Sequence, residues 1–213
     1  MVWRLGRRVV ESVVLLASSL LTSRLLPNRS HMSKRHDAIS AELKAWIEAQ
    51  KIFFVSTAPL SSEAHLNCSP KGGDSFRILS DQEVAYLDFT GSGVETIAHL
   101  QENGRILILF CAFSGPPRIV RLHGKGEVLY PSDPDFARLI GSFPENAGAR
   151  AILRLRLTRI SDSCGYSVPF FDYVGPRDGL DKWAKTKGPE ELSAYRQKKN
   201  AQSIDGLPGY RES

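Results

Sequence analysis

With 213 residues, of which 42% are hydrophobic, 24% charged and 9% aromatic, the chain has the balance of a soluble globular protein, which excludes a disordered or fibrous one. Its three cysteines, Cys68, Cys111 and Cys164, are odd in number and widely spaced, which excludes a disulfide framework and a CxxC metal or redox site and leads us to expect a reducing, cytoplasmic setting. The net charge of +5 would suggest nucleic acid or a membrane surface if it were spread out, but residues 1–36 carry seven basic groups against Glu11 alone, while residues 37–213 carry 21 against 22.

In chain order, residues 1–31 stand apart. The apolar run within residues 9–26 is too short for a transmembrane helix and is interrupted by Glu11 and Arg24, so no stable membrane insertion is expected. As a secretory signal it has a poor cleavage site at Thr22-Ser23-Arg24. Its Arg- and Ser-rich, acid-poor composition suits an organelle transit peptide. The expectation is a leader or gene-model extension outside the fold, with translation starting at Met32; organelle import is the alternative. One domain is expected over residues 32–213, with no repeat at any period.

Ser40 can cap a helix that carries Leu43, Trp46 and Ile47 at helical spacing. Residues 51–57 and the polar Leu66-Asn-Cys-Ser69, ending at Pro70, read as two strands of a hairpin, and residues 84–89 as a third strand. Thr90-Gly-Ser-Gly93 then leads into a short helix with Val94, Ile97 and Ala98 on one face, stopped at Asn103-Gly104. Residues 105–111 are apolar on both faces, as in a central strand, and residues 118–130 form a long strand with Gly124 and Gly126, where a sheet coils tightly or a ligand comes close. Asp133-Pro134 opens another helix, residues 151–160 alternate as a strand with one wet face, and two helices follow, the first around Leu180 and Trp183 and the second over residues 189–199. Strands joined by short turns, without regular strand–helix alternation, imply an antiparallel barrel with peripheral helices.

Two stretches could carry chemistry. Asn67-Cys-Ser-Pro-Lys-Gly-Gly-Asp74 sets Lys71 beside two glycines, a pairing suited to a phosphate, although by itself it also reads as a plain strand exit with an exposed lysine. Thr90-Gly-Ser-Gly-Val-Glu95 precedes a helix, where free N–H groups attract anions; Ser92 and Glu95 are also spaced as a capping box, which would satisfy those groups internally. The five histidines show neither HxxxH nor HExxH spacing, so no metal site is expected, and His99 and His123 read as partly buried structural residues. Cys111, in an apolar strand, reads as an inert core thiol.

Taken together, Phe53-Phe-Val-Ser-Thr57, Asn67-Cys-Ser-Pro-Lys-Gly72, Ala85-Tyr-Leu-Asp-Phe-Thr-Gly-Ser92, Asn103-Gly-Arg-Ile106 and Arg121-Leu-His-Gly-Lys-Gly126 resemble the FMN-binding split-barrel family related to pyridoxamine 5′-phosphate oxidase, over residues 37–162. The resemblance implies a β-barrel of the α+β type: an antiparallel Greek-key split barrel with peripheral helices and a helical C-terminal extension from about residue 163. It also implies a homodimer with FMN at the subunit interface. Asn67, Ser69 and Lys71 match the strand along the flavin, with the lysine reaching the phosphate. Thr90 and Ser92 match the phosphate loop, and Arg121 matches the long strand that approaches from the partner's side. The implied activity is a flavin-dependent redox reaction on a small-molecule substrate, with a non-catalytic FMN- or haem-binding module as the alternative. No catalytic acid or base is named by it.

The chain departs from the oxidase proper in two places. Gly93 and Val94 stand where the oxidases have Arg-Lys, and no Arg-x-His substrate clamp occurs in residues 163–213. The tail from Asp162 to Pro208 resembles a separate branch of the family.

Overall fold

The computed structural model describes residues 34–211, so the expectations for residues 1–31 fall outside the described residues. Eight strands form one antiparallel sheet: β1 (Lys34–His36), β2 (Ile52–Thr57), β3 (Asn67–Gly72), β4 (Phe76–Ile78), β5 (Glu83–Phe89), β6 (Arg105–Cys111), β7 (Ile119–Leu129) and β8 (Ala149–Ser163). The order is β3-β2-β6-β7-β8-β5-β4, with β1 alongside β8. Among the described residues, four helices decorate it: α1 (Ala41–Ala49), α2 (Glu95–Asn103), α3 (Pro134–Ile140) and α4 (Gly179–Lys199).

Curling of the sheet is visible in its core. β2 and β4 lie toward opposite ends of the strand order, yet the rings of Phe53 and Phe76 sit 5.3 Å apart, and both touch Phe110 of β6. Tyr86 of β5 closes the cluster edge-on against Phe53 at 5.6 Å. The two ends are therefore joined by aromatic packing rather than by a hydrogen-bonded ladder, which is the split in the barrel. Alternation fixes which face is inside: Phe53 and Val55 of β2, Ile106, Ile108 and Phe110 of β6, and Val120 and Leu122 of β7 are buried, while the residues between them face outward.

The helices seal the barrel. Ser40 caps α1, accepting from the Leu43 N–H at 3.2 Å, and Leu43 and Ile47 are buried beneath it. α2 lays Ile97, Ala98 and Leu100 on the inner side, and Gly104, at φ 67°, ends it in the left-handed conformation that glycine accepts without strain. α4 is two helices joined at Gly188 and Pro189, as the sequence suggests.

Three readings from the sequence are corrected. β3 does not stop at Pro70 but runs through it to Gly72; β3 is an edge strand paired only with β2, so a missing N–H can face away from the ladder. The three-residue strands β1 and β4 were not anticipated, being too short for a period to register. The glycines of β7 serve packing rather than a ligand. Gly124 sits at a register shift against β8, where a Cβ would collide with the Arg156 carbonyl, and Gly126 lies under the side chains of Leu100 and Ile106. Gly124→Ala is expected to lower stability by about 1–3 kcal/mol, the range for overpacking, as read from urea unfolding.

Candidate functional site

β3, the start of α2 and the segment after β8 enclose a cleft of about 1140 Å³. Its floor is a charged cluster. Asp88, on the last turn of alternation in β5, is 1% exposed, and its Oδ2 accepts from Arg150 Nε at 2.7 Å while its Oδ1 accepts from Lys71 Nζ at 3.3 Å. Burial alone would push the Asp88 carboxyl up, but the charges and hydrogen bonds of Arg150 and Lys71 outweigh it and hold its pKa below the usual carboxylate value. Arg150, 4% exposed, also donates to the Gly93 carbonyl at 2.9 Å and to Asn200 Oδ1 at 2.8 Å. Two cations against one acid leave this floor with one net positive charge.

Of the other acids lining the cleft, two are engaged elsewhere, and Glu95 and Asp172 are not. Asp74 is paired with Arg77 at 2.6 Å and Asp181 with Lys185 at 2.7 Å. Glu95 bends back over the loop before its helix, so that a Cβ on Gly93 would meet Glu95 Oε2 at 2.6 Å. The capping box is not formed: the helix is capped at Val94, without a side-chain bond to the cap, and Ser92 lies exposed two residues earlier.

The candidate residues fall into three groups. Lys71 and Ser69 line the cleft, and Ser69 Oγ donates to Asn67 Oδ1 at 3.1 Å. Asn67 points along the same face but belongs to an internal network, donating through Nδ2 to Thr57 Oγ1 and Thr96 Oγ1. That network ends at His99, fully buried, whose Nδ1 is 2.9 Å from Thr57 Oγ1 and whose pKa is lowered by desolvation. Thr90 is buried behind the loop and accepts from Arg196 Nε at 2.8 Å, while Gly91 and Gly93, on either side of Ser92, line the cleft. Arg121 is not brought to Lys71 within one chain: it lies on the outer face of β7 beside Leu109 and donates to Ser163 Oγ at 2.9 Å.

Asp88, Arg150 and Asn200 were missed. One signal was available: an acid in Val84-Ala-Tyr-Leu-Asp-Phe89, otherwise an apolar run, needs a buried cation as partner. Aromatic residues from the end of the chain form the opposite wall. Phe171 packs edge-on against Phe113 at 5.3 Å and its N–H donates to the Phe113 carbonyl, and Tyr173 lies beside Lys51, yet Phe171 and Tyr173 remain 62% and 57% exposed.

A curled antiparallel sheet, split along one side, with a cleft between an edge strand and a strand-to-helix loop, defines the split-barrel class. The chain belongs to the pyridoxamine 5′-phosphate oxidase family, whose model matches residues 39–164. It is 40% identical over 191 residues to the pyridoxamine 5′-phosphate oxidase family protein ustO of Aspergillus flavus, covering 82% of this chain and 76% of that protein. Among solved structures, HupZ of Group A Streptococcus overlaps at TM-score 0.45 with 23% identity, over 57% of this chain and 91% of that one. A FAD-binding protein of Mesorhizobium loti overlaps at TM-score 0.43 with 15% identity, over 61% and 96%.

Asp88→Asn removes the acid between the buried Arg150 and the half-buried Lys71 and is expected to cost about 3 kcal/mol at neutral pH. Because the folded pKa of Asp88 is depressed, its contribution is full above the unfolded value near 4 and lost as pH falls through the folded value. Urea unfolding from pH 7 downward is therefore expected to show a shallower acid limb in the variant than in the parent.

Proposed function

We propose that the protein binds FMN in the Lys71 cleft and carries out a flavin-dependent redox reaction on a small molecule. The single observation that carries this reading is the buried Lys71–Asp88–Arg150 cluster, whose net positive charge lies beside a glycine-rich loop at a helix start. Membership of the oxidase family makes a flavin mononucleotide the phosphate-bearing ligand of choice.

The residues present fit that group. The volume slightly exceeds the roughly 300–1,000 Å³ of a typical ligand site, enough for a cofactor and an adjoining substrate. Lys71 gives one N–H to Asp88 and keeps the others for a phosphate, and the glycines at 72, 73, 91 and 93 allow the backbone to come close. When bound, FMN supplies hydride or electron acceptance at its ring. The chain's own part is to hold the phosphate at Lys71, to keep that lysine in place through Asp88, and to offer the aromatic wall of Phe113, Phe171 and Tyr173 to a flat ring or a substrate. For the haem alternative the lining holds no histidine, cysteine or methionine among the described residues, which leaves Tyr173 as the side chain there of a type that ligates haem iron.

The reading includes a homodimer. Ile52, Phe54, Leu107, Leu109 and Ile119 are half-buried on the outer face of β2, β6 and β7, together with Arg121, and a second copy packed there would bring that arginine to its neighbour's cofactor.

Purified protein is expected to be yellow, with flavin absorbance released as FMN on denaturation. Lys71→Ala should lower FMN affinity at least tenfold in a fluorescence titration; a colourless parent that takes up no FMN would overturn the proposal. Light scattering is expected to give twice the mass of one chain, and Phe54→Lys together with Leu109→Lys should shift it toward the single-chain mass.

A further inference from the structure

The last part of the chain, beyond residue 164 where the family match ends, is built into the cleft loop at one point. Asn200 is fully buried at the end of α4. Its Nδ2 donates to the Gly91 carbonyl at 2.9 Å, and its Oδ1 accepts from Arg150 at 2.8 Å. A guanidinium can only donate and a carbonyl can only accept, so the two partners leave one orientation for the amide. Asn200 is itself held through its backbone: its N–H donates to the Arg196 carbonyl, and its own carbonyl accepts from the Tyr210 N–H at 2.7 Å. Arg196 in turn grips Thr90 Oγ1 at 2.8 Å and the Ala149 carbonyl.

Two carbonyls of the loop are thereby turned inward, Gly91 toward Asn200 and Gly93 toward Arg150. The chain has no cis peptide bond among the described residues. In a trans peptide the N–H points opposite to the C=O, so the Ser92 and Val94 amides are directed away from the buried side. These are the donors that precede α2, next to the cleft floor with its net positive charge.

We infer that Asn200 is a positioning residue for an anionic group in the cleft: it turns the Gly91–Ser92 peptide so that the loop presents its N–H groups to the phosphate of the bound flavin. The inference rests on the flavin reading of the cleft. It assigns to the C-terminal extension a task that the two missing cations of the loop would otherwise perform, with backbone donors and Arg150 in their place.

The test compares FMN with riboflavin, which has the ring but no phosphate. Asn200→Asp keeps an acceptor for Arg150 but sets a carboxylate oxygen against the Gly91 carbonyl, so the peptide can no longer be held in this orientation. Fluorescence titrations are expected to show FMN binding weakened tenfold or more, with riboflavin binding changed less than twofold. Equal losses for both ligands, or none for either, would overturn the inference and leave the flavin reading standing. A parent protein that takes up neither ligand would overturn the flavin reading, and this inference with it. Should the variant not fold, hydrogen exchange on the parent decides: FMN should protect the amides of Ser92 and Val94 and riboflavin should not, and equal protection or none would reject the role given to Asn200.

Discussion

The site depends on one carboxylate. Asp88 is surrounded by apolar strand, and an ionised acid in that position survives only because Arg150 and Lys71 compensate it on two sides. The pairing also works in reverse: Arg150 is nearly as buried, and without Asp88 it would lose its only acidic partner among the described residues. The consequence for function is geometric. A lysine on an edge strand, with four rotatable bonds, is a poor fixed point, and its bond to a buried, immobile oxygen removes much of that freedom before any ligand arrives.

Charge accounting supports the anionic ligand proposed above despite the acids around the cleft. Asp74 and Asp181 spend their charge on Arg77 and Lys185, at the surface, so they contribute little to the potential at the floor. The floor keeps an excess of one cation in surroundings shielded from water, where the same charge acts more strongly than it would at the surface. The loop from Thr90 to Gly93 adds backbone dipoles to that excess. Glu95, bent over the loop, is an acid that the proposed phosphate would have to move aside.

Much of this was legible in the sequence, and unevenly so. The apolar strands β2 and β6, and the helices α1, capped by Ser40, and α3, opened by Asp133-Pro134, follow from their residues alone. Lys71 and Ser69 reach the cleft because alternation puts them on the same face of β3, which the pattern of that strand allowed. Thr90 was matched by resemblance to the phosphate loop; it stands buried behind that loop and accepts from Arg196. The components of the floor were not legible as a set, since Asp88 and Arg150 are 62 positions apart and nothing local in either strand names the other. The capping box failed for a physical reason: the chain enters α2 two residues later than the spacing of Ser92 and Glu95 supposes, and Val94 takes the cap position.

The aromatic seam between Phe53 and Phe76, the short-range β6–β7 and β7–β8 ladders and the longer-range β5–β8 ladder all lie within the chain up to Ser163. The loop at 91 waits for a residue 109 positions further on. During synthesis the barrel strands are therefore complete in outline while the loop at 91 is still untethered. A nascent or clipped chain would lack the Asn200 tether on Gly91 and one partner of Arg150, which makes the end of the chain the point at which a finished molecule differs from an unfinished one.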